Sequence, residues 1–199
     1  MSTKTFLKKL SLTIGSMILM SATAQPANAT DPAKTVQLEL STGGPVVIEL
    51  LPEIAPKHVE RIKTLASEGF YDNLTFHRVI RDFMAQTGDP TGTGRGGSKY
   101  DDLPAEFSHY QYKRGTVGMA RTENPNSANS QFFICFTDSG CRGLTGQYTV
   151  WGQVTSGMEY VDALAIGEPP GTPDKIVKMT VGEEKAPEDA NPASGTPEE

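Results

Sequence analysis

Two cysteines and a single tryptophan stand among 199 residues, only 8% of the chain is aromatic, and 18 lysines and arginines are outnumbered by 24 aspartates and glutamates. So few cysteines exclude a disulfide-stapled miniprotein and a four-thiolate zinc site. A formal net charge of −6 with no basic cluster removes the electrostatic case for a nucleic-acid ligand, because a phosphate backbone needs a concentrated positive surface. The histidines His58, His77 and His109 show no metal-ligand spacing, and no serine sits in a G-x-S-x-G elbow. Neither a metal centre nor a serine-hydrolase centre is expected. What the chain does have is 20 glycines and 14 prolines. That excess argues against a helical bundle and for short strands joined by many turns, in one domain of ordinary size.

The two ends differ from the middle. Lys4, Lys8 and Lys9 precede an apolar run from Leu10 to Met20 that is too short and too rich in Ser and Thr to span a bilayer. The small-x-small patterns Ala22-Thr23-Ala24 and Ala27-Asn28-Ala29 follow, so 1–29 reads as a secretory signal, with the second cleavage site preferred. The expected destination is the periplasm, with no stable membrane association after cleavage. Removing that segment leaves 15 basic against 24 acidic residues, a charge of −9. Residues 182–199 (GEEKAPEDANPASGTPEE) hold six acids, one lysine and no large apolar side chain. Such a stretch cannot bury enough surface to offset the entropy of ordering, and an acidic disordered tail is expected. One folded domain is then left over 30–181, with 14 basic and 18 acidic residues.

Within that body the hydrophobic period changes in an informative order. Val36, Leu38 and Leu40 alternate with polar residues, Thr42-Gly43-Gly44-Pro45 turns the chain, and Val46, Ile48 and Leu50 alternate again, which predicts a β-hairpin. Pro56 then opens a helix in which Val59, Ile62, Leu65 and Ala66 repeat at helical spacing before Gly69, with His58, Glu60, Arg61 and Lys63 on its polar face. Further strands are predicted over 74–80, 83–86, 115–120, 131–136, 148–154 and 176–181, and a second helix over 157–166. About eight strands and two helices without βαβ alternation point to a mainly β fold, a closed eight-stranded antiparallel β-barrel capped by two α-helices.

Several patterns invite a chemical reading. Gly92-Thr93-Gly94-Arg95-Gly96-Gly97 matches the dinucleotide fingerprint, yet Ser98-Lys99-Tyr100-Asp101-Asp102-Leu103-Pro104 cannot open the helix whose N-terminus would bind phosphate. His77, between Phe76 and Arg78 in a predicted strand, reads as a hydrogen-bonded structural residue. Special residues concentrate instead in Phe76-His77-Arg78-Val79-Ile80-Arg81-Asp82-Phe83-Met84-Ala85-Gln86-Thr87-Gly88-Asp89 and in Asn129-Ser130-Gln131-Phe132-Phe133-Ile134. On a strand Gln131 and Phe133 face one way while Phe132 and Ile134 face the other, so one pair can line a groove as the other packs the core.

With these segments, G-T-G-R-G-G and then G-Q-Y-T-V-W-G in the same order, the sequence resembles the cyclophilins, the peptidyl-prolyl cis-trans isomerases, over about Val36 to Val181. The resemblance implies an eight-stranded antiparallel barrel with two capping helices and an enzyme that needs no cofactor. It implies that Arg78 is the catalytic arginine and that Gln86 and Gln131 hold the arginine or bond the substrate backbone. Phe83, Met84, Phe133 and Leu144 match the pocket for the proline ring. Gly94, Ala120 and Arg121 match the peptide-binding groove, and Tyr148 falls where many members carry histidine. The implied partners are proline-containing polypeptides, unfolded or exported clients, met by a monomer.

The sequence departs from the family pattern in two places. Arg121 stands where asparagine is common, and Cys141-Arg142-Gly143-Leu144-Thr145-Gly146 puts Gly143 where an aromatic often precedes the pocket leucine. In human-type cytosolic members that aromatic contributes to cyclosporin binding, so weak inhibition is expected here. The export context favours a disulfide between Cys135 and Cys141 over a buried thiol at Cys135 and an exposed one at Cys141. A binding module that keeps the groove without turnover is the alternative class.

Overall fold

A computed structural model of the chain describes residues 34–182. The expected signal segment, 1–29, and all of the expected acidic tail, 182–199, except Gly182 lie outside the described residues. Eight strands, β1 (Thr35–Leu40), β2 (Gly43–Leu50), β3 (Arg78–Ile80), β4 (Met84–Thr87), β5 (Thr116–Met119), β6 (Phe132–Cys135), β7 (Val150–Ser156) and β8 (Ile176–Val181), form one sheet. Every ladder is antiparallel and the order is β3-β4-β6-β5-β7-β2-β1-β8.

The sheet is a curled half-barrel rather than the closed barrel expected from the strand count. Strands β3 and β8 end the order and share no ladder. β3 has only three residues before the Asp82 turn, too few to pair along the six of β8. The stretch 74–77, expected to continue β3, bonds instead to the approach to β8: Phe76 N–H donates to Asp174 O at 2.8 Å and Ile176 N–H to Leu74 O at 2.9 Å. Isolated bridges Thr75↔Lys175 and Val79↔Gly167 stand there in place of a continuous ladder.

Among the described residues there are three α-helices where two were expected. α1 (Pro56–Ser67) follows its predicted stripe, burying Val59, Ile62, Leu65 and Ala66 against β7 and β8. Burying a side chain such as Ile62 or Leu65 stabilises the fold by roughly 1.5–3 kcal/mol. Gly69 closes the helix at φ +69°, its N–H bonded to Ala66 O and that of Phe70 to Leu65 O, the paired bonds of a Schellman end. His58 is not on the polar face as expected but fully buried. The reason is Glu106, whose carboxylate accepts from the N–H groups of Lys57 and His58 at 3.2 and 3.1 Å and from His58 Nδ1 at 2.6 Å, capping a helix whose own Ala55 offers no cap.

The other two helices are short: α2 (Asp138–Cys141), which was not foreseen, and α3 (Met158–Asp162). α3 ends well before residue 166 because the Ala165 N–H donates to Asp174 Oδ2 at 2.8 Å instead of continuing the helix.

Alternation along the strands divides the interior in two. Phe132 and Ile134 point into the main core, where Trp151, Tyr71 and Phe76 are fully buried and the Phe132 ring meets Trp151 and Tyr71 edge-on at 5.4 and 5.5 Å. Phe133 and Cys135 point the other way, into a smaller cluster with Met84, Tyr112, Cys141 and Val150. That second cluster is the floor of the groove described next.

Candidate active site

Cross-strand register assembles the groove. Arg78 on β3 lies opposite Gln86 on β4, Gln86 opposite Phe133 on β6, and Phe133 opposite Gly118 on β5, so the four share one face in a row across the sheet. The Phe133 ring stacks on Tyr112 at 5.9 Å and meets Tyr148 edge-on at 5.8 Å. Gly118 is required by this packing, since a Cβ there would overlap the Tyr112 hydroxyl and sit 2.8 Å from Phe133 Cζ.

Arg78, Phe83, Met84, Gln86, Ala120, Arg121, Phe133, Leu144 and Tyr148 line a cavity of about 110 Å³. A larger one of about 500 Å³ adjoins it, sharing Gln86, Ala120 and Arg121 and reaching Gly94 and Gln131. Two adjoining depressions with a shared wall make one groove, and the structure brings all eleven expected site residues to it. Met84 and Phe133 are nearly buried, whereas the Arg78 side chain is 40% exposed. The site therefore offers an apolar floor with a cation at its mouth. Among the described residues no group of three or more His, Cys, Asp or Glu is placed to hold a metal ion.

The glutamines hold each other rather than the arginine. Gln86 Nε2 donates to Gln131 Oε1 at 2.9 Å and Gln131 Nε2 to Gly96 O at 2.8 Å, a relay that ties β4 to the glycine-rich loop. Arg78 is held instead by Glu168, whose Oε2 accepts from Nε at 2.7 Å. Sequence reasoning missed Glu168, ninety positions away between a glycine and a proline, with no local signal to mark it.

The glycine-rich loop spends its donors inward. The backbone N–H groups of Thr91, Thr93, Gly94 and Arg95 donate to the Asp89 carboxylate at 2.6–3.0 Å, the geometry a phosphate would need but filled by an internal anion. Burial alone would raise the Asp89 pKa, yet the bonds from Thr91, Gly96 and Gly94 outweigh it and hold the carboxyl well below its ordinary range. That fixed charge sets the loop that carries Gly94 and Gly96 into the larger cavity. His77 lies just before β3 rather than inside a strand. It is buried, and desolvation lowers its pKa against the opposing charge of Asp89.

Arg121 closes the opposite wall. Its Nη2 and Nε donate to Gln147 O at 3.0 and 3.3 Å and its Nη1 to Thr122 O at 2.8 Å, while its guanidinium lies 4.5 Å over the Tyr148 ring. The substitution at this position thus staples 121–122 to the turn that presents Tyr148. The Ala120 N–H is taken by Gln131 O at 2.9 Å. Leu144 stands at the end of a 3-10 turn, Arg142–Leu144, directly after α2. Cys135 on β6 and Cys141 on α2, both fully buried, are joined as a disulfide at the base of that turn. Nothing lies within 4 Å of the place a Gly143 Cβ would occupy, so there is open space at the position where the family pattern has an aromatic.

Comparison with known proteins gives a consistent picture. Residues 35–181 match the family model described as cyclophilin type peptidyl-prolyl cis-trans isomerase/CLD. A probable peptidyl-prolyl cis-trans isomerase of Brucella suis is 52% identical over 173 residues, covering 79% of this chain and 87% of that protein. A peptidyl-prolyl cis-trans isomerase of Schizosaccharomyces pombe is 41% identical over 152 residues, covering 71% of this chain and 96% of its own length. Among solved structures, a cyclophilin from Hirschia baltica superposes with a TM-score of 0.69 at 30% identity, covering 80% of this chain and 78% of that one. A cyclophilin-type isomerase of Cryptosporidium parvum, crystallised in the presence of the dipeptide Ala-Pro, superposes at 0.68 with 28% identity, covering 75% of this chain and 99% of that one.

Proposed function

Because this chain belongs to the cyclophilin-type peptidyl-prolyl cis-trans isomerases, we propose that the Arg78 groove is where it twists X-Pro bonds, in exported client proteins. Rotation about an X-Pro bond must break amide resonance, against a barrier of about 18–20 kcal/mol, and unaided it takes tens to hundreds of seconds. No covalent step is needed. In the twisted state the proline nitrogen loses conjugation, becomes pyramidal and gains a lone pair that can accept a hydrogen bond. A donor aimed at that nitrogen therefore binds the twisted amide better than the planar one, which is what lowers a barrier.

Arg78 supplies the donor. Its Nε is taken by Glu168, which leaves the Nη groups for the amide. The proline ring fills the apolar floor formed by Phe83, Met84, Phe133 and Leu144, and the peptide on either side runs along Ala120, Arg121 and Gly94 toward the larger cavity, near Gln86 and Gln131. Exclusion of water from the floor also favours the twisted amide, whose charge separation is smaller than that of the planar one.

The observation that carries this reading is the convergence of the Arg78 guanidinium on a small cavity floored by Phe83, Met84, Phe133 and Leu144, assembled from β3, β4, β6 and a distant turn. The reading extends to place and partners: a monomer whose groove is complete within one chain, acting in the periplasm on unfolded proline-containing polypeptides. The signal-like residues 1–29 and a cysteine pair suited to an oxidising compartment support it. The test is Arg78→Ala, assayed by protease-coupled isomerisation of an Ala-Pro peptide. A charge-assisted hydrogen bond worth roughly 1.5–3 kcal/mol predicts a loss of at least about tenfold. Near-normal turnover by a folded Arg78→Ala protein would sink the assignment.

A further inference from the structure

An arginine whose side chain is 40% exposed has several staggered conformations open to it, and only some present its donors to the groove. Something must select among them. Gln86, directly opposite Arg78 across the β3–β4 pair, is committed to Gln131. The other flank is different. Val79 and Gly167 exchange two backbone hydrogen bonds, Val79 N–H to Gly167 O at 2.8 Å and Gly167 N–H to Val79 O at 2.9 Å. In antiparallel register that places residue 168 opposite residue 78, so the backbone itself brings Glu168 to the side of Arg78 away from Gln86.

The segment that carries Glu168 is fixed at both ends. Asp174 accepts from Ala165 N–H through one carboxylate oxygen and from Ser41 Oγ through the other, each at 2.8 Å. Gly167 turns so closely over Pro170 that a Cβ at 167 would stand 2.5 Å from the Pro170 Cα. A carboxylate is thus delivered by a braced hook to one edge of the guanidinium. It accepts from Nε at 2.7 Å, and among the described residues the Nη groups donate to no partner that would compete with a substrate.

We propose that Glu168 is the positioning residue of the isomerase: by engaging Arg78 Nε it holds the guanidinium with its Nη donors turned to the X-Pro amide. The proposal rests on Arg78 being the catalytic donor. Glu168 does not touch the substrate, so its removal lowers the fraction of enzyme with a correctly placed arginine and leaves peptide binding alone. Rate falls in proportion to that fraction.

The test uses the folded enzyme and four variants, Glu168→Ala, Glu168→Gln, Arg78→Ala and the double Arg78→Ala/Glu168→Ala. Glu168→Ala is expected to lower kcat about fivefold, the order set by releasing a side chain among its staggered wells, with KM and the thermal midpoint unchanged. Glu168→Gln, which keeps an acceptor oxygen, recovers most of that loss. The Arg78 Nε–Hε resonance in a 15N–1H spectrum shifts and exchanges faster in Glu168→Ala, and it is restored in Glu168→Gln. In the Arg78→Ala background, adding Glu168→Ala has no further effect. If Arg78→Ala abolishes turnover while Glu168→Ala leaves it untouched, the positioning role is wrong and the catalytic arginine stands. If Arg78→Ala itself leaves turnover near normal, the underlying assignment has failed instead. A Glu168→Ala effect confined to KM, or one of equal size with and without Arg78, also overturns the positioning role.

Discussion

Lysine at position 78 keeps the charge and removes the geometry, and so separates the two. In the structure the guanidinium has two jobs on two edges: Nε bonds Glu168 at 2.7 Å, and the Nη edge is left for the amide. A lysine ammonium concentrates its three donors on one atom, and the nearest fixed anion is Glu168. It cannot lie against that carboxylate and reach the proline nitrogen together. The bond lost at the twisted amide is charge-assisted and worth roughly 1.5–3 kcal/mol, which converts to a fall of about 10- to 150-fold in kcat/KM. Because the proline pocket is built from other residues, the loss falls on kcat with KM nearly unchanged. The side chain is 40% exposed and the pair with Glu168 is of the kind worth at most about 1 kcal/mol, so the fold persists. The assay is protease-coupled turnover of an Ala-Pro peptide over a range of concentrations, with circular dichroism to confirm folding. An Arg78→Lys protein retaining a third or more of wild-type kcat/KM would refute the two-edge account, since a single point charge would then suffice.

Three further outcomes follow from the geometry. Reduction of Cys135–Cys141, or Cys135→Ala with Cys141→Ala, opens a loop with a sequence separation of 6, for which chain entropy gives about 2 kcal/mol; the thermal midpoint should drop by roughly 5 °C or more, and an unchanged midpoint would contradict the linkage. Asp89 has a folded-state pKa below its unfolded value, so its contribution is present above about pH 4 and is lost as the pH falls through the folded-state value; Asp89→Asn should destabilise the protein at pH 7 and flatten the acid limb of a urea-midpoint profile against pH. Gly143 has open space around it, so Gly143→Trp should fold normally and strengthen the weak cyclosporin binding expected of this chain, as read by calorimetric titration; no gain in affinity would mean that the missing aromatic is not the reason for weak binding.

Much of the site was legible because its residues lie in contiguous, regularly spaced strand segments. Period-two alternation in Gln131-Phe132-Phe133-Ile134 already separates a core face from a groove face, and the structure places Phe132 and Ile134 in the main core and Phe133 in the groove floor. What could not be read was every relation set by register between distant segments. Glu168 meets Arg78 only because Val79 pairs with Gly167, and Glu106 reaches His58 only because a long loop returns over the start of α1. His58 looked solvated by helical periodicity, and tertiary pairing with a carboxylate overrode that.

Local sequence was enough for what depends on local chemistry: the β-hairpin from alternating Val, Leu and Ile around Gly43-Gly44, the stripe of α1, the dismissal of a phosphate site for want of a following helix, and the residues that line the groove by resemblance. Tertiary structure alone decided that the sheet stays open between β3 and β8, that the glycine-rich loop closes on the Asp89 carboxylate, and that a glutamate rather than a glutamine grips Arg78. The physical reason is the same in each case. Side-chain periodicity follows from backbone geometry within one element, whereas strand closure, buried charge and ion pairing depend on which backbone groups remain unpaired once distant segments have met.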